Sequence, residues 1–516
     1  MSNLTRGVLV VDLGTQYAQL IARRVRQAGS WCQIAPPRVA LETAKKMDLA
    51  GIILSGGPAS VYADDAPDVP EELLELGVPV LGICYGMQWM MRTLGGDVVA
   101  ADKREFGRAS ITVSRSTDIF KAFEGNTDVW MSHGDQVASL PAGFVDYAST
   151  STCEHAAVGN AEKRFFGLQF HPEVTHSERG FELLENFIHE VCGLEGNWRS
   201  GDIVEREIEK VHEIVGETGE IILGLSGGVD SSVAAVILNK AVGKRLHCIF
   251  VDNGLLRKGE RQVVEDTFAE HFNMDLTVVD AADRFLEKLA GVTDPETKRK
   301  IIGNEFVEVF REEAKRFKNS KFLGQGTLYP DVIESVAVHG GNTAVIKSHH
   351  NVGGLPDDLD MALVEPLREL FKDEVRRIGR HMGLDSVVVD RQPFPGPGLA
   401  VRILGEVTPE RCAILREADA ITTTEIEAAG EQVGLWQYFA VLLPIKSVGV
   451  MGDARTYEDA CAIRVVESED GMTADWGHLS HKLLQRISNR IINEVRGINR
   501  VVLDISSKPP ATIEWE

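Results

Sequence analysis

Short apolar runs, each followed by an amphipathic stretch, recur through the first third of the chain. Val8-Leu9-Val10-Val11 leads into Asp12-Leu13-Gly14-Thr15 and a helical pattern ending at Gly29. Gly51-Ile52-Ile53-Leu54 runs into Ser55-Gly56-Gly57-Pro58, and Val78-Pro79-Val80-Leu81 into Gly82, ahead of a helical stretch from Met87 to Leu94. Apolar strands separated by helices predict a doubly wound α/β sheet, which carries its chemistry at the C-terminal ends of its strands. The breakers Gly193, Gly196 and Asn197 close this unit.

The pattern then restarts. A strand is predicted over 220–225, a helix over 229–240, a strand over 246–252, a helix over 259–272 and a strand over 276–280, with a charged amphipathic helix from Phe371 to Met382. Arg391-Gln392-Pro393-Phe394-Pro395-Gly396-Pro397-Gly398 cannot be helix and marks a boundary. Beyond it, strands at 462–466 and 501–505 mix with helices at 409–417 and 479–495. The expected architecture is α/β, with two doubly wound parallel-sheet domains followed by a small α+β domain. The expected boundaries are 1–195, 196–392 and 393–516. A length of 516 residues, too long for one core, agrees with about three domains.

Composition narrows the function by exclusion. The formal net charge of -23, with no block of lysines or arginines, argues against a nucleic-acid-binding surface. No run of 18 apolar residues exists, so no membrane span is expected. The N-terminus enters a strand almost at once, without the apolar region of a signal peptide. Cysteines at 32, 84, 153, 192, 248, 412 and 461 are scattered and odd in number. That pattern fits reduced thiols in the cytoplasm rather than a disulfide framework or a zinc site.

One cysteine has a different context. Gly82-Ile83-Cys84-Tyr85-Gly86 follows an apolar strand and opens a helix, the thiol version of a nucleophile elbow. Small residues flank such a nucleophile because the turn leaves no room for side chains, and a helix N-terminus favours the thiolate. In Phe170-His171-Pro172-Glu173, the histidine and glutamate are two apart on extended chain and face the same way. His171 is therefore the expected base and Glu173 its orienting partner. The backbone N–H groups of Tyr85 and of the Gly56-Gly57 turn, Gly57 in particular, are the expected oxyanion donors. The other six cysteines lack this setting and read as structural.

These residues resemble the class I glutamine amidotransferase family over about residues 7–190, including Ser132-His133-Gly134-Asp135. The resemblance implies glutamine hydrolysis through a thioester on Cys84. His133 is the rival base, given a supporting role because its loop lines the active-site mouth in the family.

The second motif, Ser226-Gly227-Gly228-Val229-Asp230-Ser231-Ser232, follows a strand and opens a helix. Its backbone N–H groups and hydroxyls suit a phosphate. It lacks the Walker lysine that would reach the β- and γ-phosphates of a nucleotide. Asp230 would repel phosphate directly, so its expected task is to hold Mg²⁺. The motif resembles the ATP pyrophosphatase family, which implies ATP as substrate, cleaved between its α- and β-phosphates. By the same resemblance Lys347, His349 and His350 belong to a lid.

Spacing alone leaves the acceptor open, at ammonia delivered to some ATP-activated group. The order of the three parts resembles the glutamine-hydrolysing GMP synthase family. Further matches are Arg299-Lys300-Ile301-Ile302-Gly303, Gly324-Gln325-Gly326-Thr327 and the stretch from Lys508 to Glu516. That resemblance implies xanthosine 5′-monophosphate as acceptor, with Arg299 and Lys508 on its phosphate and Glu514 on its base or ribose. Pro509-Pro510 is expected to hold Lys508 and Glu514 on a stiff polyproline II arm. A homodimer is expected through the small last domain, whose strands are too few to bury their own apolar faces.

Overall fold

The computed structural model describes residues 6–332 except 65, and 361–516 except 452, 453, 469, 470 and 472. The chain forms two compact units, Met1–Ile203 and Val204–Glu516.

In the first unit, β1 (Gly7–Val11), β2 (Trp31–Ala35), β3 (Leu49–Leu54), β4 (Val80–Ile83) and β9 (Phe165–Leu168) run parallel in the order β2-β1-β3-β4-β9. β1, β4 and β9 are buried along their whole length, as strands covered on both faces should be, which is why they read as unbroken apolar runs. The sheet then continues with β8 (Ala157–Asn160), β7 (Val145–Ser149), β5 (Asp97–Val113) and β6 (Asn126–Ser139), all antiparallel. This extension departs from the purely parallel sheet expected. Its cause is visible in β6, where Thr127, Val129, Met131 and His133 are buried and alternate with more exposed neighbours, the period of a half-covered antiparallel strand.

The second unit holds a fully parallel five-stranded sheet in the order β12-β11-β10-β13-β14. Its members are β10 (Glu220–Gly224), β11 (Leu246–Asp252), β12 (Asp275–Asp280), β13 (Ser320–Gly324) and β14 (Ala362–Val364). The helix Val229–Val242 follows the central strand and is buried at Val233 to Leu238 without a break. The stretch expected as one helix over 259–272 is α-helical only at Glu260–Val264 and π-helical over Glu265–His271.

A second, mixed sheet pairs β15 (Gln437–Met451) antiparallel with β16 (Ala454–Glu467). β16 in turn pairs with β17 (Asp475–Trp476) and, in parallel, with β18 (Ile498–Asp504). The helix expected at 409–417 runs on through Pro409–Ala429. Thr408 caps it by accepting from the Arg411 N–H, Thr422 Oγ1 donates back to the Ala418 carbonyl, and Gly430 ends it at φ +71°. Ile222 and Ile249 of the five-stranded sheet share one apolar core with Leu442 and Ile463 of the mixed sheet. Burial thus runs continuously through Val204–Glu516. Among the described residues no helix is long and apolar enough to cross a membrane.

Candidate active sites

β4 ends at Ile83 and the next helix, Tyr85–Thr93, begins two residues later, so Cys84 must turn the chain alone. It does so at φ +48°, a strained conformation for a side-chain-bearing residue. The flanking glycines are sterically required. A Cβ on Gly82 would lie 2.6 Å from the Met87 nitrogen, and one on Gly86 would lie 2.4 Å from the Leu54 carbonyl oxygen. The elbow aims Cys84 Sγ at His171 Nε2, 3.4 Å away, while the thiol donates to the Gln169 carbonyl at 3.1 Å.

His171 follows β9, the strand beside β4, in a register that pairs Gly82 with Gly167 and Ile83 with Leu168. Its Nδ1 lies 2.7 Å from Glu173 Oε1, and the ring of Tyr17 packs edge-on against the imidazole. All three side chains of the relay are buried. Burial raises the Cys84 thiol above its ordinary range, and the neighbouring His171 offsets only part of this. For His171, burial opposes charge, but the Cys84 sulfur and the Glu173 carboxylate outweigh it and raise the imidazole above its usual value. The geometry sets Cys84 Sγ against both the Gln169 carbonyl and an imidazole oriented by Glu173.

Gly57 abuts the elbow, since a Cβ there would meet Tyr85 Cγ at 3.3 Å and the Leu13 carbonyl oxygen at 2.6 Å. The Tyr85 N–H heads its helix, where such groups have no intrahelical acceptor. His133, the rival base, does not face Cys84. Its ring nitrogens lie 3.0 Å from Glu105 Oε2 and 3.0 Å from the Asp135 carbonyl. Gln88 and Gln169, not singled out beforehand, brace the elbow from behind. Gln88 Nε2 donates to the Asp135 carbonyl at 2.9 Å and to Gln169 Oε1 at 3.1 Å.

In the second unit the loop from Ser226 to Ser232 lies between β10 and its helix, with Gly227 at φ +72° and Gly228 as the helix N-cap. Ser226 Oγ and Ser231 Oγ lie 2.9 Å apart, and the Ser226 N–H reaches Ser231 Oγ at 3.2 Å, so the loop closes on itself. Ser232 is buried and donates to the Gly228 carbonyl at 2.7 Å, which braces the turn. Val229 packs inward beside it. Arg391, from the proline-rich segment, donates to the Gly227 carbonyl at 3.1 Å and pairs with Glu260 at 2.5 Å.

Asp230 Oδ2 stands 3.7 Å from Lys372 Nζ, while its buried Oδ1 has no hydrogen-bond partner among the described residues. Burial raises this carboxyl above its ordinary range; Lys372 opposes that and the nearby Asp331 carboxylate adds to it. A buried, half-partnered carboxylate with a second one at hand is a donor set suited to a hard divalent cation. Asp331 and Lys372 carry no local signature, and only the fold brings them to Asp230.

The remaining expected residues cluster around the C-terminal segment. Arg299 donates to the Glu516 backbone oxygen at 2.5 Å, and the buried Lys298 beside it pairs with the Glu516 carboxylate. Glu514 is held by the buried Arg402 through two hydrogen bonds of 3.1 and 2.9 Å. Lys508 Nζ donates to the Gly471 carbonyl at 2.7 Å. The polyproline II arm is not formed. Lys508 pairs with Ala474 in an antiparallel bridge and Pro509-Pro510 turn immediately after it, because that backbone pairing fixes the direction of entry. Lys347, His349 and His350 lie outside the described residues.

Cys84, His171 and Glu173 thus lie buried together on a mixed sheet, in one chain with a glycine-rich loop that heads a parallel sheet. The class I glutamine amidotransferase family matches residues 9–191, the NAD synthase family residues 202–304, and the GMP synthase C-terminal domain residues 424–515. The chain is 58% identical over 516 residues to a glutamine-hydrolysing GMP synthase of Brachyspira hyodysenteriae, covering 100% of both chains. It is 56% identical over 511 residues to one from Maridesulfovibrio salexigens, covering 99% of each, and 55% identical over 509 residues to one from Vibrio vulnificus, covering 99% of this chain and 98% of the relative. The chain belongs to the GMP synthase family.

Proposed function

We propose that this chain is a glutamine-dependent GMP synthase, an AMP-forming carbon-nitrogen ligase of purine nucleotide synthesis. The observation that carries this reading is the Cys84–His171–Glu173 relay in the same chain as a phosphate loop without a Walker lysine. Cys84 Sγ attacks the side-chain amide carbon of glutamine as His171 Nε2 takes the thiol proton. The imidazolium returns that proton to the departing nitrogen, ammonia leaves, and a glutamyl thioester remains. Water, deprotonated by His171, then opens the thioester, and glutamate leaves as the thiol regains its proton. The Tyr85 and Gly57 N–H groups are assigned to the developing oxyanion.

In the second reaction the C2 oxygen of xanthosine 5′-monophosphate attacks the α-phosphorus of ATP and pyrophosphate departs. Ammonia adds at C2, and AMP leaves with that oxygen. Ser226, Gly227, Gly228, Val229, Asp230, Ser231 and Ser232 are assigned to ATP, with Asp230 as the Mg²⁺ ligand supported by its unpartnered Oδ1 and by Asp331. Mg²⁺ bound there supplies charge neutralisation at the phosphates. The family resemblance supports Lys347, His349 and His350 as lid residues. It also supports Arg299 and Lys508 as acceptor-phosphate ligands, and Glu514 as a contact to the acceptor's base or ribose.

By the same reading residues 1–195 form the glutaminase, 196–392 the ATP pyrophosphatase, and 393–516 the acceptor-binding and dimerisation part. A homodimer is supported by Val448, Val450, Tyr457 and Ile505, large apolar side chains left more than half exposed on the mixed sheet and just beyond β18. Seven free cysteines, all buried, support a cytoplasmic setting. The deciding assay supplies ATP, Mg²⁺, ammonium and single nucleotides. Xanthosine 5′-monophosphate should release AMP and pyrophosphate in equal amounts, and stoichiometric ADP overturns the reading.

A further inference from the structure

Three side chains that the assigned glutaminase chemistry does not use converge where β5, β6 and the turn after β7 meet. β5 and β6 pair Glu105 directly with His133. The turn after β7 brings in Cys153, fastened by its own N–H on Thr150 Oγ1 and by its carbonyl on the Thr150 N–H, both at 2.8 Å. The donor oxygen, nitrogen and sulfur all lie within 4.8 Å of one another. His133 and Cys153 are buried, and the Glu105 side chain keeps 13% exposure, which leaves an opening to solvent.

The hydrogen bonds around the histidine specify what the centre needs. The Asp135 carbonyl can only accept, so His133 Nδ1 carries a hydrogen. Nε2 then points at a carboxylate oxygen 3.0 Å away, which also can only accept. Two lone pairs at that separation repel unless a proton or a cation sits between them. A backbone carbonyl holding the far ring nitrogen is the usual support of a metal-ligating histidine. Thr150 and Thr152 both donate to Glu105 Oε1, which turns Oε2 toward the centre.

We propose that Glu105 Oε2, His133 Nε2 and Cys153 Sγ bind one divalent cation of borderline softness, zinc by preference, with water as fourth ligand. Binding releases the Cys153 thiol proton to solvent, and any proton on His133 Nε2 with it. The role is positioning. The Asp135 carbonyl that fixes His133 also holds Gln88, Gln88 holds Gln169, and the Gln169 carbonyl accepts the Cys84 thiol. A cation at the centre stiffens that shell without touching the nucleophile. Cysteine spacing concealed the site because its ligands come from three separated segments.

The test uses full-length protein stripped with a chelator, with Co²⁺ as optical probe and Zn²⁺ titrated against a chromophoric chelator. One equivalent of Co²⁺ should bind with thiolate-to-cobalt charge-transfer absorption, retained in Cys84→Ala and lost in Cys153→Ser. Glu105→Gln, which preserves shape, should weaken Zn²⁺ binding by about tenfold or more. No uptake, or an absorption band that follows Cys84 rather than Cys153, overturns the proposal. Should Cys153→Ser fail to fold, unchanged Zn²⁺ affinity in Glu105→Gln overturns it alone.

Discussion

The Cys84–His171–Glu173 arrangement and the residues of the second unit assigned to nucleotides are held in opposite ways. Cys84, His171 and Glu173 are buried, already in line, and tied to the rigid register of β4 and β9. Residues assigned to ATP and the acceptor instead contact protein groups that carry no such assignment. Asp230 faces Lys372, Glu514 is clasped by Arg402, Arg299 holds the Glu516 backbone, and Lys508 rests on the Gly471 carbonyl. Covalent catalysis demands reacting atoms positioned before the substrate arrives. Sites for highly charged ligands can instead keep their charges paired internally until phosphate replaces the partner.

Removing the nucleophile should separate the two regions most sharply. Cys84→Ala is expected to lower glutamine-dependent GMP formation by about 10⁴-fold or more while ammonium-driven formation stays near wild type. Equal loss with both nitrogen sources would show that the relay also serves the synthetase. Asp230→Asn should act in reverse, lowering synthesis about 10²-fold with either donor, on the scale of one lost transition-state charge contact. Glutamine hydrolysis measured alone should stay intact, and normal synthesis by this variant would remove Asp230 from the reaction. Lys508→Ala should raise the KM for xanthosine 5′-monophosphate about tenfold, the size of one charge-assisted hydrogen bond. The KM for glutamine should barely move, and an unchanged nucleotide KM places the acceptor phosphate elsewhere.

The smallest effect concerns what the two units share. Burial raises the thiols of Cys192 in the first unit and of Cys248 and Cys461 in the second above 9.0, the last two to about 12. Above pH 9.0 the unfolded chain loses these protons before the folded one does, so their stabilising contribution is complete below 9.0 and declines as pH rises toward about 12. Thermal midpoints measured across that window should fall progressively. A flat profile would mean that the thiols ionise in place.

The relay was legible in the sequence because its logic is local. A strand, two flanking glycines and a helix start define Cys84, and two-residue spacing aligns His171 with Glu173. The strand-to-helix turn from Ser226 to Ser232 was legible for the same reason. What escaped depends on pairing between distant segments: the antiparallel extension β5–β8, the contacts of Lys372 and Asp331 with Asp230, the Arg402 clasp on Glu514, and the Glu105–His133–Cys153 centre. The polyproline II expectation failed because backbone pairing at Lys508 overrode a purely local preference.

The adjacency of β4 and β9 has a consequence for how such a protein can diversify. The two strands lie side by side although 81 residues separate Ile83 from Phe165, and that interval is spent on the antiparallel extension and its connections. Insertions, deletions and new surface functions can accumulate within the detour while the gap between sulfur and imidazole remains set by the pairing of its two ends. The chemistry is inherited as a register, and the excursion is where a lineage can experiment.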